Sequence, residues 1–332
     1  MKANYIEFKK KRTFSEVMNA IIEFTKRESK DLLKAQLYIS GPVVLIAAIL
    51  FAMLFDVFFT LGFTGDPEFF NFQTGVYMVG MLGASVLGQV FVTAVSLDYV
   101  YIYVNEKPDK ITPEMVWKRS KNTLWGVLFH TIVLGILLII GYVVVVGGFF
   151  ALVSLVSPIL FITFFIPFAV IFYFIGVFSL YFPIYVFEKR GLDLGTIIGR
   201  CFKLVKDNWW KTFGVVMISS IVVGVVSSIF FVPPYIVMIT EVLSLEGGGS
   251  EEEIMNSLTR NWFIIGFFVL YVIARFLLAY LIFVGMSFQY YNLAETKEAA
   301  GLLETISAID SEDTGSRLGA DRAGDSEEGE DY

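Results

Sequence analysis

A long stretch without charged side chains is the feature that most limits how this chain can fold. From Asn122 to Phe187 the sequence contains no Asp, Glu, Lys or Arg. One helix needs about 20 apolar residues to cross the roughly 30 Å of hydrocarbon in a bilayer, so this stretch is too long for a single crossing. It therefore predicts two membrane-spanning helices joined by a turn, at about 124–149 and 158–187.

The rest of the composition agrees with a bilayer environment. Of the 332 residues, 56% are hydrophobic and only 17% are charged, which is more apolar surface than a soluble core can bury. Four further apolar segments have spanning length, at about 38–63, 74–104, 212–243 and 262–291. We therefore predict an all-α integral membrane protein whose membrane domain, residues 38–292, contains six transmembrane helices.

Basic residues are concentrated on one side of the predicted membrane. The segments on the side of the N-terminus hold nine, five, six and three Lys and Arg, in residues 1–37, 105–123, 188–211 and 293–332 respectively. The three opposite loops hold one, Arg260. Because cytoplasmic flanks are rich in Lys and Arg, both termini are predicted to be cytoplasmic.

Three segments share one layout, in which an amphipathic helix precedes a pair of spans. Thr13, Thr112 and Asp193 are typical helix caps, and each opens such a helix; the first belongs to the basic N-terminal segment 1–37. We interpret the stretch from Asp193 to Pro234 as the clearest unit, and as the one around which the chain is organised. The units start on the same side, which predicts three parallel repeats. Tryptophans expected to anchor them at the interface are Trp117, Trp125, Trp209 and Trp210.

The last segment, residues 293–332, is predicted to be a cytoplasmic tail. It begins with a short helix-like piece and becomes polar, glycine-rich and acidic from about residue 311. The stretch from Glu312 to Tyr332 holds eight acidic residues and two arginines. Such a composition cannot bury enough apolar surface to fold, so we expect disorder there.

Charged side chains within the predicted spans are candidates for function, because each costs at least about 2.5–3.5 kcal/mol at the centre of a bilayer. They are Asp56, Asp98, Glu241 and Arg275. Arg275 lies near the middle of the sixth span and is expected to pair with Asp98 or Asp56, and the sequence does not choose between them. Such a pair would either hold helices together or line a polar cavity for transport or lipid binding. Gln89 adds polarity to the second span.

The second span also carries small residues at intervals of four, namely Gly80, Ala84 and Gly88. Small side chains at this spacing let another helix approach closely. We predict that this face packs within the bundle, with homodimerisation as the alternative.

Catalytic motifs are missing from the sequence. There is one histidine, His130, and one cysteine, Cys201, so neither a His-rich metal centre nor an internal disulfide is expected. No His-Glu-x-x-His helix, Gly-x-Ser-x-Gly turn or phosphate-binding Gly-Lys-Ser/Thr loop occurs. Asp98 with His130 is the one pair that a membrane enzyme would use. We predict a non-enzymatic protein without metal or cofactor.

Two sequence stretches carry a family resemblance. Arg200 to Lys211 reads RCFKLVKDNWWK before an apolar run, and Phe288 to Glu295 reads FQYYNLAE before Gly301-Leu-Leu. This layout resembles that of uncharacterised polytopic membrane proteins of Bacteroidetes-type bacteria, which are similar to the membrane domain attached to some glycerophosphoryl diester phosphodiesterases. The resemblance implies a membrane domain only, because the chain has no room for the soluble phosphodiesterase domain.

Two functions are compatible with these features. The first is a non-enzymatic inner-membrane protein in envelope or lipid-related organisation, or a partner in a membrane complex. The alternative is a transporter or channel for a lipid or small amphiphile, with a cavity near Arg275. In both cases the expected partners are membrane lipids and other membrane proteins, and no nucleic acid.

The predicted topology can be checked with single cysteines in a Cys201→Ser background. In intact spheroplasts, a membrane-impermeant maleimide should label Ser250→Cys in the acidic loop, because that loop is external. Ser311→Cys in the tail should react only after lysis. Labelling in the reverse order would contradict the topology.

Overall fold

The computed structural model describes residues 5–64, 72–151, 165–188, 193–244 and 262–299. Within these ranges all regular structure is helical, which confirms the predicted all-α class. Five of the described helices are long and apolar enough to cross a membrane, or six if one bent pair counts as a span. The predicted turn after the third span, the acidic loop and the acidic tail lie outside the described residues.

The described helices have the following bounds, and each of the predicted spans 158–187, 212–243 and 262–291 contains a break between two helices. The first part of the chain forms α1 (Phe14–Ile39), α2 (Gly41–Thr64), α3 (Phe72–Asn105) and α4 (Pro113–Tyr142), which continues through a π-helical turn (Val143–Gly147). The second part forms α5 (Phe165–Phe178), α6 (Tyr181–Phe187), α7 (Leu194–Val205), α8 (Trp209–Ser228), α9 (Val232–Ser244), α10 (Trp262–Leu278) and α11 (Tyr280–Glu298).

Three helices begin at the capping residues that the sequence indicates. The side chains of Thr13, Thr112 and Asp193 each accept a hydrogen bond from the backbone N–H three residues later. The Glu16 side chain returns a bond to the Thr13 backbone and completes a capping box. At Asp193, hydrogen bonds from Thr196 lower the pKa of the carboxyl group.

Of the three helices that begin at these caps, the second, α4, differs from the predicted layout. The chain bends by 67° between α1 and α2, and it breaks between α7 and α8 at Asp207, whose φ is 70°. By contrast, α4 runs without interruption from Pro113 into the apolar span, so no separate surface helix precedes it. The reason is local: after Pro113 no proline or left-handed residue interrupts the backbone hydrogen bonds of α4.

The helix at the centre of the bundle is α11. It contacts α1, α3, α6, α7, α8 and α10, and 12 of its 19 residues are buried. Its apolar residues point in all directions, as expected for a helix surrounded by protein. The interpretation that Asp193–Pro234 organises the chain stays a prediction; in the structure α7 and α8 both pack against α11.

Burial is concentrated at one end of the bundle, formed by α1, α6, α7, α11 and the second half of α3, and called the packed end below. Fully buried large side chains there include Phe24, Tyr99, Tyr181 and Phe288. At the opposite end, called the open end, the helices expose apolar side chains, for example Ile139 and Val144 in and after α4. A bilayer would solvate these side chains, so the open end needs no core of its own.

The membrane helices follow one another in the spatial order α4, α3, α2, α10, α8 and α5, each in contact with the next. The two ends of this row, α4 and α5, flank a groove at the open end. At the packed end α6 closes the row, because its Tyr181 and Tyr185 side chains lie against α4.

The close packing of α11 can be tested at two glycines of the same predicted span. A Cβ at Gly285 would lie 2.8 Å from Ser219 Oγ and 3.3 Å from Val215 Cγ1, whereas a Cβ at Gly266 meets nothing within 4 Å. Overpacking of this kind costs about 1–3 kcal/mol. In detergent, Gly285→Val should lower the thermal midpoint and Gly266→Val should not. Equal midpoints would contradict the central position of α11.

Candidate functional site

An apolar groove lies between α4 and α5 and has a volume of about 500 Å³. Its α4 wall consists of Leu134, Leu137, Leu138, Ile139, Gly141, Tyr142 and, beyond it, Val145. Its α5 wall consists of Val170, Ile171, Phe174, Ile175 and Phe178, and Ile198 of α7 lies at one end. The tyrosine hydroxyl is the one polar side-chain group of this lining, so the groove suits a hydrocarbon ligand.

The length of the groove matches one leaflet of a bilayer. Its α4 wall extends from Leu134 to Val145, which is about 17 Å at 1.5 Å per residue. That distance is close to half of the roughly 30 Å hydrocarbon thickness. The groove can therefore hold one extended acyl chain along its wall.

A histidine–tyrosine pair joins α4 and α6 on the packed-end side of the groove. His130 lies one turn before Leu134, and its Nδ1 atom is 2.5 Å from the Tyr181 hydroxyl oxygen. One turn before His130 on α4, Gly126 lies so close to Tyr185 that a Cβ at residue 126 would overlap the Tyr185 hydroxyl group. His130 is buried, not interfacial, and its described partner is a phenol rather than Asp98.

Electrostatic contacts at the packed end attach α7 to its neighbours. Arg200 Nε donates to both carboxylate oxygens of Glu188, at 2.9 and 2.8 Å, and its other two nitrogens donate to Glu298. The hydrogen bonds to Glu298, which have the largest effect, and those to Glu188 raise the pKa of the Arg200 guanidinium. Tyr290 of α11 also donates to Glu188, at 3.1 Å. In the sequence, Arg200 is only one of the basic residues that indicate the topology, whereas in the structure it lies between two glutamates.

A lysine of α11 also attaches α7 to its neighbours. Lys297 of α11 donates to the backbone carbonyls of Lys203 and Lys206, at 2.7 and 2.5 Å, and so caps the C-terminal end of α7. Cys201 faces the core, and burial raises the pKa of its thiol to about 12. The thiol is therefore protonated at neutral pH and is not an activated nucleophile.

Asp98 pairs with an arginine that sequence reasoning missed. Its buried carboxylate accepts a hydrogen bond from Arg119 Nε at 2.8 Å, and the Arg119 guanidinium stacks on the ring of Tyr101, 3.3 Å from its centroid. The charge count along the sequence uses Arg119 only as a topology signal. Both residues lie near the short connection between α3 and α4, and this proximity is the signal that could have identified the pair.

Arg275 lies in the last turn of α10 and is exposed. The helix breaks at Ala279 before α11, so the cation is close to the carbonyl end of α10, where positive charge is favourable. No ion pair of Arg275 is present among the described side chains. The side chains of Asp56 and Glu241 lie outside the described residues.

The remaining polar and small candidates of the second span lie on α3. Gln89 is exposed, and its side-chain amide donates to Thr93 Oγ1 at 3.3 Å. Gly88 is buried, and a Cβ there would lie 3.2 Å from Cε1 of Phe276 in α10. Gly80 and Ala84 are half-buried, and the closest approach at Gly80 is 3.8 Å. Of the two glycines, Gly88 has the closer helix contact.

Three of the four tryptophans expected at the interface are exposed. Trp117, Trp125 and Trp210 expose 45%, 77% and 78% of their surface. Trp209 is half-buried instead: its indole N–H donates to the Tyr173 carbonyl at 2.9 Å and its ring stacks on Phe213.

Comparison with known proteins identifies no relative. No protein-family model, no curated protein and no solved structure matches this chain. The functional argument therefore depends on the groove and on the polar contacts described above.

The Arg200 contacts predict a specific loss of stability. Arg200→Gln removes the cation from two partly buried carboxylates, which should cost about 1–3 kcal/mol of unfolding free energy. Lys211→Gln removes one exposed charge from the neighbouring helix and should have little effect. The measurement is the thermal midpoint in detergent, together with amide exchange of α7, which should accelerate only in the Arg200 variant. Unchanged exchange in that variant would show that Arg200 does not hold α7.

Proposed function

We propose that this chain is a non-enzymatic multi-pass protein of a bacterial inner membrane that holds a membrane lipid as part of envelope organisation. In this proposal the packed end and both termini are cytoplasmic, and the chain comprises three parallel units. The basic segments that flank the packed end support this orientation, because cytoplasmic flanks are rich in Lys and Arg.

The groove between α4 and α5 is the observation that carries the proposal. Its volume of about 500 Å³ and its apolar walls suit an acyl chain. It lies between helices that are long and apolar enough to span a membrane, so an acyl chain could enter it directly from the bilayer. Ile198 lines one end of the groove. Because it belongs to the amphipathic helix α7, this end of the groove adjoins the packed end.

The closed packed end favours holding a lipid over moving one. The N-terminal segment covers the end of α11, where Phe8 stacks on Phe288 at 3.8 Å and packs edge-on against Phe24 and Tyr103. The Arg12 backbone N–H donates to the Asn292 side chain at 2.7 Å. These contacts and the His130–Tyr181 pair give the packed end a dense interior, which supports holding a lipid in the groove.

A pair of glycines on α4 allows a matched test. Gly141 lines the groove and Gly135 does not, and a Cβ at either position meets nothing within 4 Å. Gly141→Phe should fill the groove and lower phospholipid binding about tenfold, which corresponds to about 1.4 kcal/mol. Gly135→Phe has the same effect on helix propensity and should bind lipid as the wild type does. Native mass spectrometry of protein in mild detergent, titrated with phospholipid, measures both.

If Gly141→Phe binds phospholipid as tightly as Gly135→Phe does, the groove is not the lipid site and the proposal is wrong. Equal melting temperatures of the two variants would ensure that the difference reports on binding. Either result is informative, since both substitutions face open space.

A transporter or channel for a lipid or small amphiphile is the second candidate, and the exposure of Arg275 favours it. Arg275 follows Phe268 by seven residues, so both lie on nearly the same face of α10. Phe268 packs against Phe51 and Phe231, yet Arg275 remains exposed. An amphiphile that is lost from Arg275→Leu and retained by Arg275→Lys in the same titration would support this candidate.

A further inference from the structure

A second cleft lies at the packed end, at the junction of the α1–α2 bend and the start of α4. Its volume is about 290 Å³, and its lining consists of Tyr38, Ile39, Pro113, Glu114 and Trp117. None of these residues belongs to the groove between α4 and α5. The two cavities are therefore separate, and a ligand of the cleft does not depend on the occupant of the groove.

Local backbone structure brings the positions of the two aromatic residues and the carboxylate to one cleft. Tyr38 is two residues before Ser40, where the chain bends by 67° from α1 into α2. The Thr112 cap and Pro113 start α4, which puts Glu114 in its first turn and Trp117 one turn further. Tyr38 exposes 77% of its surface, so one wall of the cleft is open to solvent or lipid.

The chemistry of this lining is that of a cation site. The faces of Trp and Tyr rings attract an ammonium group, and a carboxylate adds a charge-assisted hydrogen bond. No ion pair occupies Glu114 in the described part of the chain. Each residue has an ordinary explanation alone, as an interfacial aromatic or as an acid at a helix N-terminus. Their convergence on one cleft is not explained in that way.

Exposed lysines lie one turn along the same helices from residues that line the cleft. Lys118 and Lys121 follow Glu114 and Trp117 on α4, and Lys34, which pairs with Asp31 at 3.8 Å, precedes Tyr38 on α1. A ligand that carries an ammonium group beside a phosphate would meet opposite charge at both groups. Zwitterionic phospholipid headgroups have this arrangement, and of these a primary ammonium can donate hydrogen bonds to Glu114.

We propose that this cleft binds the headgroup of a phosphoethanolamine lipid, with its ammonium group between Tyr38, Trp117 and Glu114 and its phosphate beside the lysines of α4. The protein would thus distinguish lipids by headgroup at the packed end. This selectivity is a property separate from the holding of an acyl chain in the groove.

The test compares lipids that have identical acyl chains and differ in headgroup. Purified full-length protein in detergent is titrated with phosphatidylethanolamine or phosphatidylglycerol and observed by native mass spectrometry. The wild type should bind phosphatidylethanolamine more tightly. Glu114→Gln and Trp117→Leu should each weaken that binding about fivefold or more while leaving phosphatidylglycerol binding unchanged.

Two matched controls keep this result specific. Glu106→Gln removes an exposed acid on the preceding connection, and Trp125→Leu removes an exposed tryptophan two turns further along α4. Neither should change the preference for phosphatidylethanolamine. A wild-type protein without headgroup preference, or controls that lose it equally, would overturn the proposal and leave the cleft as a general interfacial anchor.

A soluble competitor identifies the source of the ligand. Glycerophosphoethanolamine has the same headgroup without acyl chains and should compete only weakly, because it lacks the bilayer anchor. Competition at the same concentration as the intact lipid would instead assign the cleft to a soluble amine and overturn the lipid assignment. The groove variant Gly141→Phe should retain the headgroup preference, so failure of one proposal can be distinguished from failure of the other.

Discussion

The packing of α11 against six other helices is the interaction on which the rest of this structure depends. Because the helix is surrounded, its polar side chains need partners inside the protein, and they have them: Gln289 donates to Thr212 on α8, and Asn292 accepts from the Arg12 backbone. These contacts join the N-terminal segment and α8 to one central element. The stacking of Phe8 on Phe288 then closes the packed end.

The central position of α11 also explains the difference between the two ends of the bundle. Apolar contact between helices gains little in a bilayer, since lipid chains are as apolar as leucine side chains, and close packing and polar contacts must hold the helices together. The described polar contacts lie mainly at the packed end, where Arg200 joins α6, α7 and α11, and Asp98 and Arg119 join α3 and α4. At the open end the helices separate enough to leave the groove between α4 and α5. The proposed acyl-chain site is a consequence of this uneven packing.

The site residues show where sequence reasoning stops. Hydropathy correctly marks Asp98 as a buried charge, but it gives no information on which cation reaches it, and the partner is Arg119 at 2.8 Å. Trp209 and Trp210 are adjacent and equally aromatic, yet one packs on Phe213 and the other is exposed. His130 cannot be assigned to the core from its own neighbours in sequence, because Tyr181 lies 51 residues away. Each outcome depends on contacts between distant segments.

The amino-acid sequence alone determined what is local in this protein. Apolar runs of spanning length determine a helical membrane protein, because the backbone must satisfy its hydrogen bonds internally in lipid. Caps at Thr13, Thr112 and Asp193 determine where three helices begin. Only the tertiary structure decided that α11 lies against six other helices and that a groove and a cleft remain along α4. These features depend on which helix faces lie together, and helical periodicity shows that a face exists without showing what it meets.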